Sequence, residues 1–234
     1  MDEHQRNIIR TLKGLETTDV RPGFDTEIPV VNDKDVEVGF LKPLDRHLAN
    51  NEEIVNSLTN WRRRFNRFFF TQFEATSERT RTWLNDVVIK DDTRLLFLIT
   101  DATNKLIGQI GACNINGDSA ELDNVIRGQR GGGPNLVLLS GMSLIGWIYG
   151  VLNIKKINAR VLANNFRTLA VYEATGCFEQ SGPPQFVKVI SPNEGVSGLT
   201  ARCDQTPPDG DEFLVMTLNM QKFLARYPWM SKVR

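Results

Sequence analysis

Cysteine and histidine are scarce in this sequence of 234 residues, which has three cysteines and two histidines. Cys113, Cys177 and Cys203 show neither an even count nor a Cys-x-x-Cys pair, so we expect no metal site and a reducing, cytoplasmic location. No run of about 18 apolar residues occurs and the first residues are polar, so we expect no membrane span and no signal peptide. The 28 basic and 28 acidic side chains balance, which argues against a nucleic-acid partner.

One stretch lacks acidic residues altogether. Between Asn124 and Tyr172 the sequence contains no Asp or Glu. The basic residues in this stretch are Arg127, Arg130, Lys155, Lys156, Arg160 and Arg167. Because the whole chain is balanced, this local segregation of charge predicts that a polyanionic ligand binds here.

A strand, a glycine-rich loop and a helix follow one another at the start of this stretch. Residues 120–126 alternate like a strand, residues 127–134 form a basic glycine-rich loop, and residues 135–152 are apolar enough for a buried helix. Consecutive glycines let backbone N–H groups converge on a phosphate, and a helix N-terminus attracts negative charge. No Lys-Ser or Lys-Thr follows the glycines, which excludes a P-loop, and the acidic residue of a dinucleotide fold is missing. A plain turn between strand and helix remains the alternative.

A second motif follows the predicted helix. Residues 156–163 alternate like a strand, and a short helical stretch comes after them. Together with the glycine loop, this pattern resembles the GNAT acetyltransferase superfamily. Asn165 and Tyr172 keep the spacing of that family, whereas Cys177 stands where the family usually has Phe. The resemblance extends over residues 36–218.

The resemblance implies an α/β (α+β) fold of three layers, in which helices flank a central mixed, mostly antiparallel sheet of about seven strands. It divides the chain into an N-terminal extension (residues 1–34), an acetyltransferase domain (residues 35–220) and a C-terminal tail (residues 221–234). Periodicity and turn residues predict a helix near residues 8–15, strands at 36–41, 94–100, 105–114, 185–190 and 212–218, helices at 45–58 and from Thr76 to Trp83, and a long insertion at 191–211.

The resemblance also implies that the cosubstrate is acetyl-CoA. Its pyrophosphate is expected at the glycine loop and its pantetheine arm near Asn165. The residues that we expect to contact coenzyme A are Val125, Ile126, Arg127, Arg130, Gly131, Gly132, Gly133, Asn165 and Arg167.

Three residues are candidates for the chemistry. By resemblance, Tyr172 reaches the sulfur of coenzyme A and protonates the departing thiolate; the alternative is a tyrosine that only packs in the core. Glu121 and Asp123 have the same parity, so they share one strand face and either could take the proton of the amine through water. The alternative is that both are ordinary strand carboxylates. We expect His47 to be structural.

A basic and aromatic segment at residues 61–70 predicts the site of the amine acceptor. Arginines among aromatic rings can bind nucleic acid or hold a nucleotide sugar, and a surface helix with solvated arginines has the same pattern; the balanced charge of the chain disfavours nucleic acid. This segment and residues 76–83 resemble GNAT enzymes of bacterial amino-sugar pathways. The acceptor-binding residues that we expect are Trp61, Arg62, Phe73, Trp83 and Asn124.

The sequence therefore predicts an acetyl-CoA-dependent N-acetyltransferase whose acceptor is a nucleotide-linked amino sugar. A protein N-terminal acetyltransferase, like those of ribosomal proteins, is one alternative. A non-catalytic acyl-CoA-binding module is another, and a homodimer is left open.

Overall fold

The computed structural model describes residues 1–15, 27–187 and 211–232. The predicted insertion at residues 191–211 lies outside these ranges except for Asp211. No helix within the described ranges is long and apolar enough to cross a membrane.

The strands form one mixed sheet in the order β1-β2-β3-β4-β5-β6-β9-β7, with β8 also paired to β9. Among the described residues, the pairing of β5 with β6 is parallel and the other pairings are antiparallel. The strands are β1 (Ile28–Val31), β2 (Glu37–Pro43), β3 (Leu95–Asp101), β4 (Leu106–Asn116), β5 (Ser119–Arg127), β6 (Lys156–Leu162), β7 (Phe178–Gln180), β8 (Gln185–Val187) and β9 (Asp211–Leu218).

The α-helices within the described ranges mostly begin at side chains that accept a hydrogen bond from the first turn. Thr76 is such an N-cap, as the sequence predicts, since its hydroxyl accepts from the Arg79 N–H at 3.2 Å. The helices are α1 (Glu3–Leu12), α2 (Glu52–Phe65), α3 (Ser77–Trp83), α4 (Leu136–Gly150), α5 (Phe166–Thr175) and α6 (Met220–Arg226). A π-helical segment, Leu84–Ile89, continues α3.

The sheet has an apolar cluster on each face. On β3, Phe97 faces the cluster that includes α1 and α4, while Leu96 and Leu98 face the cluster built with α2 and the π-helical segment. The ring of Trp147 on α4 meets that of Phe97 edge-on, with centroids 6.0 Å apart. Helices therefore flank the sheet on both sides, which confirms the predicted fold class.

Three sequence-based expectations about elements need correction. Within the described ranges the sheet has nine strands, whereas about seven were expected, and β1 was missed because Pro29 interrupts its pattern. Pro29 is tolerated there because β1 is an edge strand. The helix expected at residues 45–58 begins only at Glu52, because the Asn51 side chain accepts from the Ile54 N–H at 3.1 Å and so caps it.

The N-terminal residues belong to the same body as the acetyltransferase strands. Ile8, Ile9 and Leu12 of α1 are buried in the cluster with α4. The Gln5 side chain donates to the Leu152 carbonyl at 2.7 Å, just beyond the end of α4. Although α1 and β1 lie in the range predicted as an extension, they complete the core and the edge of the sheet.

Candidate active site

Strands β5 and β6 separate in the middle of the sheet. They pair only where Ser119–Leu122 lies beside Lys156–Ala159. Beyond that point β5 continues to Arg127 without a ladder partner on its β6 side within the described residues. The separation opens a cleft that exposes the edge of β5.

A β-bulge at Asn124 changes the faces of β5. Gly111 and Gln109 of β4 pair with Asp123 and Ile126, so β5 has one extra residue between them. Asn124 takes a positive φ of 53° at this point. As a result, two even-numbered side chains lie on opposite faces of the sheet when one precedes the bulge and the other follows it. The same holds for two odd-numbered side chains.

The glycine loop presents backbone N–H groups that have no acceptor. Gly131, Gly132 and Gly133 all have positive φ, at 137°, 63° and 75°, which glycine adopts without steric cost. Helix α4 begins at Asn135 without a side-chain cap. The backbone N–H groups that lack an acceptor among the described residues are those of Gly131, Gly132, Gly133, Asn135, Leu136, Val137 and Leu138. Such a set of amides at a helix N-terminus fits a pyrophosphate.

Arg127 holds this loop together from within. Its Nη2 donates to the carbonyls of Gly131 and Gly133 at 2.7 and 2.9 Å. Because these carbonyls point toward the guanidinium, the backbone N–H groups of the loop point in other directions. Arg130 is exposed beside the loop, so it is the arginine of this pair whose side chain remains open to a ligand.

The other predicted coenzyme A residues lie on β5 and at the start of α5. Val125 is exposed on β5, whereas the Ile126 side chain is buried in the cluster with α2. Asn165 caps α5 by accepting from the Thr168 N–H at 3.4 Å, and Arg167 is exposed on the first turn of that helix.

Tyr172 lies on α5 near the predicted carboxylates. Its side chain is buried and its ring packs on Phe178, with centroids 4.4 Å apart. Burial raises the pKa of Tyr172, and the charges of Asp123 and Glu121 add to the rise. The hydroxyl therefore stays protonated at neutral pH, and it has no hydrogen-bond partner among the described residues. The carbonyl cap expected of a purely structural tyrosine is not observed.

Glu121 and Asp123 share one face of β5, as their parity predicts, and each is paired with an arginine. Arg160 of β6 donates through Nε to Glu121 at 2.7 Å. Arg94, just before β3, donates to Asp123 through Nη1. The buried thiol of Cys113 lies beside these pairs, and burial raises its pKa.

Arg62 is a partly buried cation next to this cluster. Its guanidinium carbon lies 3.6 Å from the ring centroid of Phe69 and 4.8 Å from that of Phe73. Its Nη2 donates to the Thr71 carbonyl at 2.6 Å. Burial lowers the pKa of Arg62 to about 10, while nearby Asp123 opposes that shift. Within the described residues Arg62 has no ion-pair partner, and its buried Nε has no hydrogen-bond partner.

The remaining predicted acceptor residues serve the architecture as well. Trp61 is 6% exposed and packs against Gly128, where a Cβ would overlap the indole ring. Trp83 is partly buried against the same apolar cluster. Asn124 donates through its backbone N–H to Asp123 Oδ1 at 2.8 Å, so that N–H is already occupied.

Sequence reasoning missed the arginines that hold the two carboxylates. Arg94 precedes β3 and Arg160 lies on β6, and both are far from β5 in sequence. No local sequence pattern indicates that they are the partners of Asp123 and Glu121. The position of Arg160 in the alternating pattern of β6 predicts the face on which its side chain lies, but it does not predict which residue that side chain contacts. No group of three or more metal-ligating side chains occurs within the described ranges.

Comparison with a family model decides the relationship of this chain. Residues 41–177 match the model of the acetyltransferase (GNAT) domain. The chain belongs to the GNAT acetyltransferase family. It is an N-acetyltransferase whose cosubstrate is acetyl-CoA, and the open amides of the glycine loop and α4 fit that cosubstrate.

Solved structures share this fold at low sequence identity. A spermidine N-acetyltransferase from Vibrio cholerae in complex with CoA and spermine is 22% identical with a TM-score of 0.54, and the match covers 79% of this chain and 96% of that one. The spermidine/spermine N-acetyltransferase SpeG from Vibrio cholerae in complex with manganese ions is 20% identical with a TM-score of 0.53, over 81% and 96% of the two chains. No curated protein is similar enough in sequence to count as a match.

Proposed function

We propose that this N-acetyltransferase acts on an amine acceptor that carries an anionic group, and that the acceptor is a nucleotide-linked amino sugar. The observation that carries the proposal is Arg62, a partly buried guanidinium that forms no ion pair among the described residues, although Asp123 is near enough to oppose the fall in its pKa. Burying an unpaired cation is costly. A phosphate of the acceptor would compensate the charge of the guanidinium.

The charge around Arg62 disfavours a polycationic acceptor such as the spermidine of the structural neighbours. A polyamine needs carboxylates that are free to face its ammonium groups. Here Glu121 and Asp123 are each already paired with an arginine. Phe69 and Phe73, which flank Arg62, offer aromatic faces on which a nucleotide base could stack.

The residues of the site divide the reaction between them. Coenzyme A supplies the acetyl thioester. The amides of Gly131–Gly133 and the first turn of α4 hold its pyrophosphate, with Arg130 beside them, and Asn165 holds its pantetheine arm. Because the Asn124 N–H already donates to Asp123, Val125 is the residue whose N–H stabilises the oxyanion in the cleft.

Proton transfer needs a donor and an acceptor on the two sides of the cleft. Tyr172 is protonated and its hydroxyl is unengaged, so it donates to the departing thiolate. Asp123 and Glu121 face the acceptor side, where one of them takes the proton of the amine through water. Their arginine partners fix the orientation of both carboxylates.

Mass spectrometry of the products tests the acceptor class. The protein is incubated with acetyl-CoA and, in separate reactions, a nucleotide-linked amino sugar, the same amino sugar without phosphates, spermidine, and a peptide with a free N-terminus. We expect acetylation of the nucleotide-linked sugar and little of its phosphate-free counterpart. Efficient acetylation of spermidine or of the peptide, with none of the nucleotide sugar, would show that the acceptor class is wrong.

A further inference from the structure

A buried lysine lies at the C-terminal end of helix α1. Lys13 is 1% exposed, and its Nζ donates to the backbone carbonyl of Asp91 at 2.5 Å. Burial lowers the pKa of Lys13 to about 8, against the opposing influence of Asp92 and Asp91. Burying an ammonium group costs free energy unless its contacts compensate it.

Residues at the end of helix α1 contact the turn that leads into β3. The Asp91 carbonyl that accepts from Lys13 also accepts from the Arg94 N–H at 3.1 Å. Arg10 lies 3.4 Å from Asp92 Oδ2 through its Nη1. The Asp91 carboxylate accepts from the Thr93 N–H at 2.8 Å and closes the turn.

This turn determines where Arg94 points. The Arg94 Nε lies 3.9 Å from Asp91 Oδ2, and its Nη1 donates to Asp123 on β5. A continuous chain of contacts thus leads from Lys13 through Asp91 and Arg94 to the carboxylate that faces the acceptor. The first link of this chain lies more than a hundred residues before the last in sequence.

We propose that Lys13 is a positioning residue for acetyl transfer. By fixing the Asp91 carbonyl it orients Arg94, and Arg94 in turn holds Asp123 at the angle that the incoming amine requires. The inference rests on the proposed function in one respect, namely that Asp123 faces the acceptor. Small displacements of a positioned group lower reaction rates strongly.

Three variants separate positioning from stability. Lys13→Met keeps the apolar stem and removes the donor and the charge, Lys13→Arg keeps both, and Ile9→Val loosens the same helix without touching the contacts of Lys13. We expect Lys13→Met to lower turnover of the folded enzyme about ten- to a hundredfold, with an unchanged dissociation constant for acetyl-CoA. Lys13→Arg should restore much of the rate, and Ile9→Val should leave it at the wild-type level.

The pH profile gives a signature that a structural role would not move. The charged groups facing Lys13 are Asp91, Asp92, Arg10 and Arg94. Wild-type turnover should decline above pH 8, where Lys13 loses its proton and its hydrogen bond to the Asp91 carbonyl is weakened because it is no longer charge-assisted. In Lys13→Arg, which stays charged, that decline should be absent or shifted to higher pH. The same decline in both proteins would contradict the proposal.

A measurement without catalysis keeps this inference distinct from the proposed function. Unfolding free energies are compared for Lys13→Met, Asp123→Asn and the double variant. If the contacts couple the two sites, the effect of Asp123→Asn should differ between the wild-type and Lys13→Met backgrounds. Additive effects, together with equal losses of turnover in Lys13→Met and Ile9→Val, would overturn the inference. Failure to acetylate any amine would instead refute the proposed function.

Discussion

The proposed site has two halves, one for the cofactor and one for the acceptor, and the two halves use different chemistry. The cofactor half consists of backbone N–H groups of the glycine loop and of the first turn of α4, which have no acceptor among the described residues. The acceptor half consists of side chains, in which arginines from three different segments surround Glu121 and Asp123. Backbone N–H groups suit the part of the ligand that is the same in every reaction. Paired side chains, in contrast, can be replaced by substitution when the acceptor changes. Variants of each half should therefore affect different kinetic constants.

The largest effect is expected at Tyr172, which lies between the halves and should affect the chemistry alone. Tyr172→Phe keeps the ring against Phe178 and removes only the hydroxyl. Turnover should fall roughly ten- to ten-thousandfold, the range of lost general-acid catalysis, while the affinity for acetyl-CoA stays nearly unchanged. Single-turnover kinetics with saturating acetyl-CoA measures the chemical step.

Tyr227→Phe is the matched control for that change. Its hydroxyl donates to the Thr175 carbonyl at 3.1 Å, so its removal should lower the free energy of unfolding and leave turnover intact. If Tyr172→Phe reacts at the wild-type rate when chemistry is rate-limiting, Tyr172 is not the acid and water protonates the thiolate.

Replacement of Arg62 should affect the binding of the acceptor only. Replacing it with Met removes a charge-assisted hydrogen bond, which is worth about 1.5–3 kcal/mol. The Michaelis constant of the acceptor should rise about tenfold or more, with that of acetyl-CoA nearly constant. Arg64→Met is the control, since Arg64 is exposed on the same helix. A rise in the Michaelis constant of acetyl-CoA instead would mean that the two halves are wrongly assigned.

Gly133 should affect the cofactor half only. A Cβ there would meet nothing within 4 Å, whereas one at Gly132 would overlap Leu136. Gly133→Asp and Gly133→Asn are similar in size and both tolerate positive φ, so their difference isolates the charge. Calorimetry should show acetyl-CoA binding weaker by about tenfold, or 1.4 kcal/mol, in the Asp variant than in the Asn variant. Equal affinities would remove the pyrophosphate from this loop.

The smallest effect is a pH dependence of stability outside both halves. The pKa of Lys13 is lowered to about 8 from an ordinary value of 10.5. Between these values the unfolded chain binds more protons than the folded one, so the contribution of Lys13 to stability rises with pH across this window. Melting temperatures of wild type and Lys13→Met, compared from pH 7 to about 10.5, should converge or cross in favour of the wild type. A constant difference would mean that the folded-state pKa is not lowered.

What could be predicted from sequence follows the same division. The glycine loop was predictable because three adjacent glycines between a strand and a helix determine their backbone locally. The ion pairs of Asp123 and Glu121 were not, because Arg94 and Arg160 reach them only through strand pairing. Lys13 was invisible for the same reason, since its partners lie on a turn near residue 91. The strand β1 was hidden because Pro29 interrupts its pattern, whereas the helical spacing near residues 8–15 predicted α1.

The bulge at Asn124 has a consequence for how this protein can change over time. One extra residue in β5 determines which face of the sheet each side chain beyond it occupies. Substitutions in either half do not change the face of the sheet on which each β5 side chain lies. A single-residue insertion or deletion between Glu121 and Ile126 would instead move the side chains of one half to the opposite face relative to those of the other half. Lineages derived from this chain should therefore diversify their acceptors by substitution, while the length of this segment stays constant.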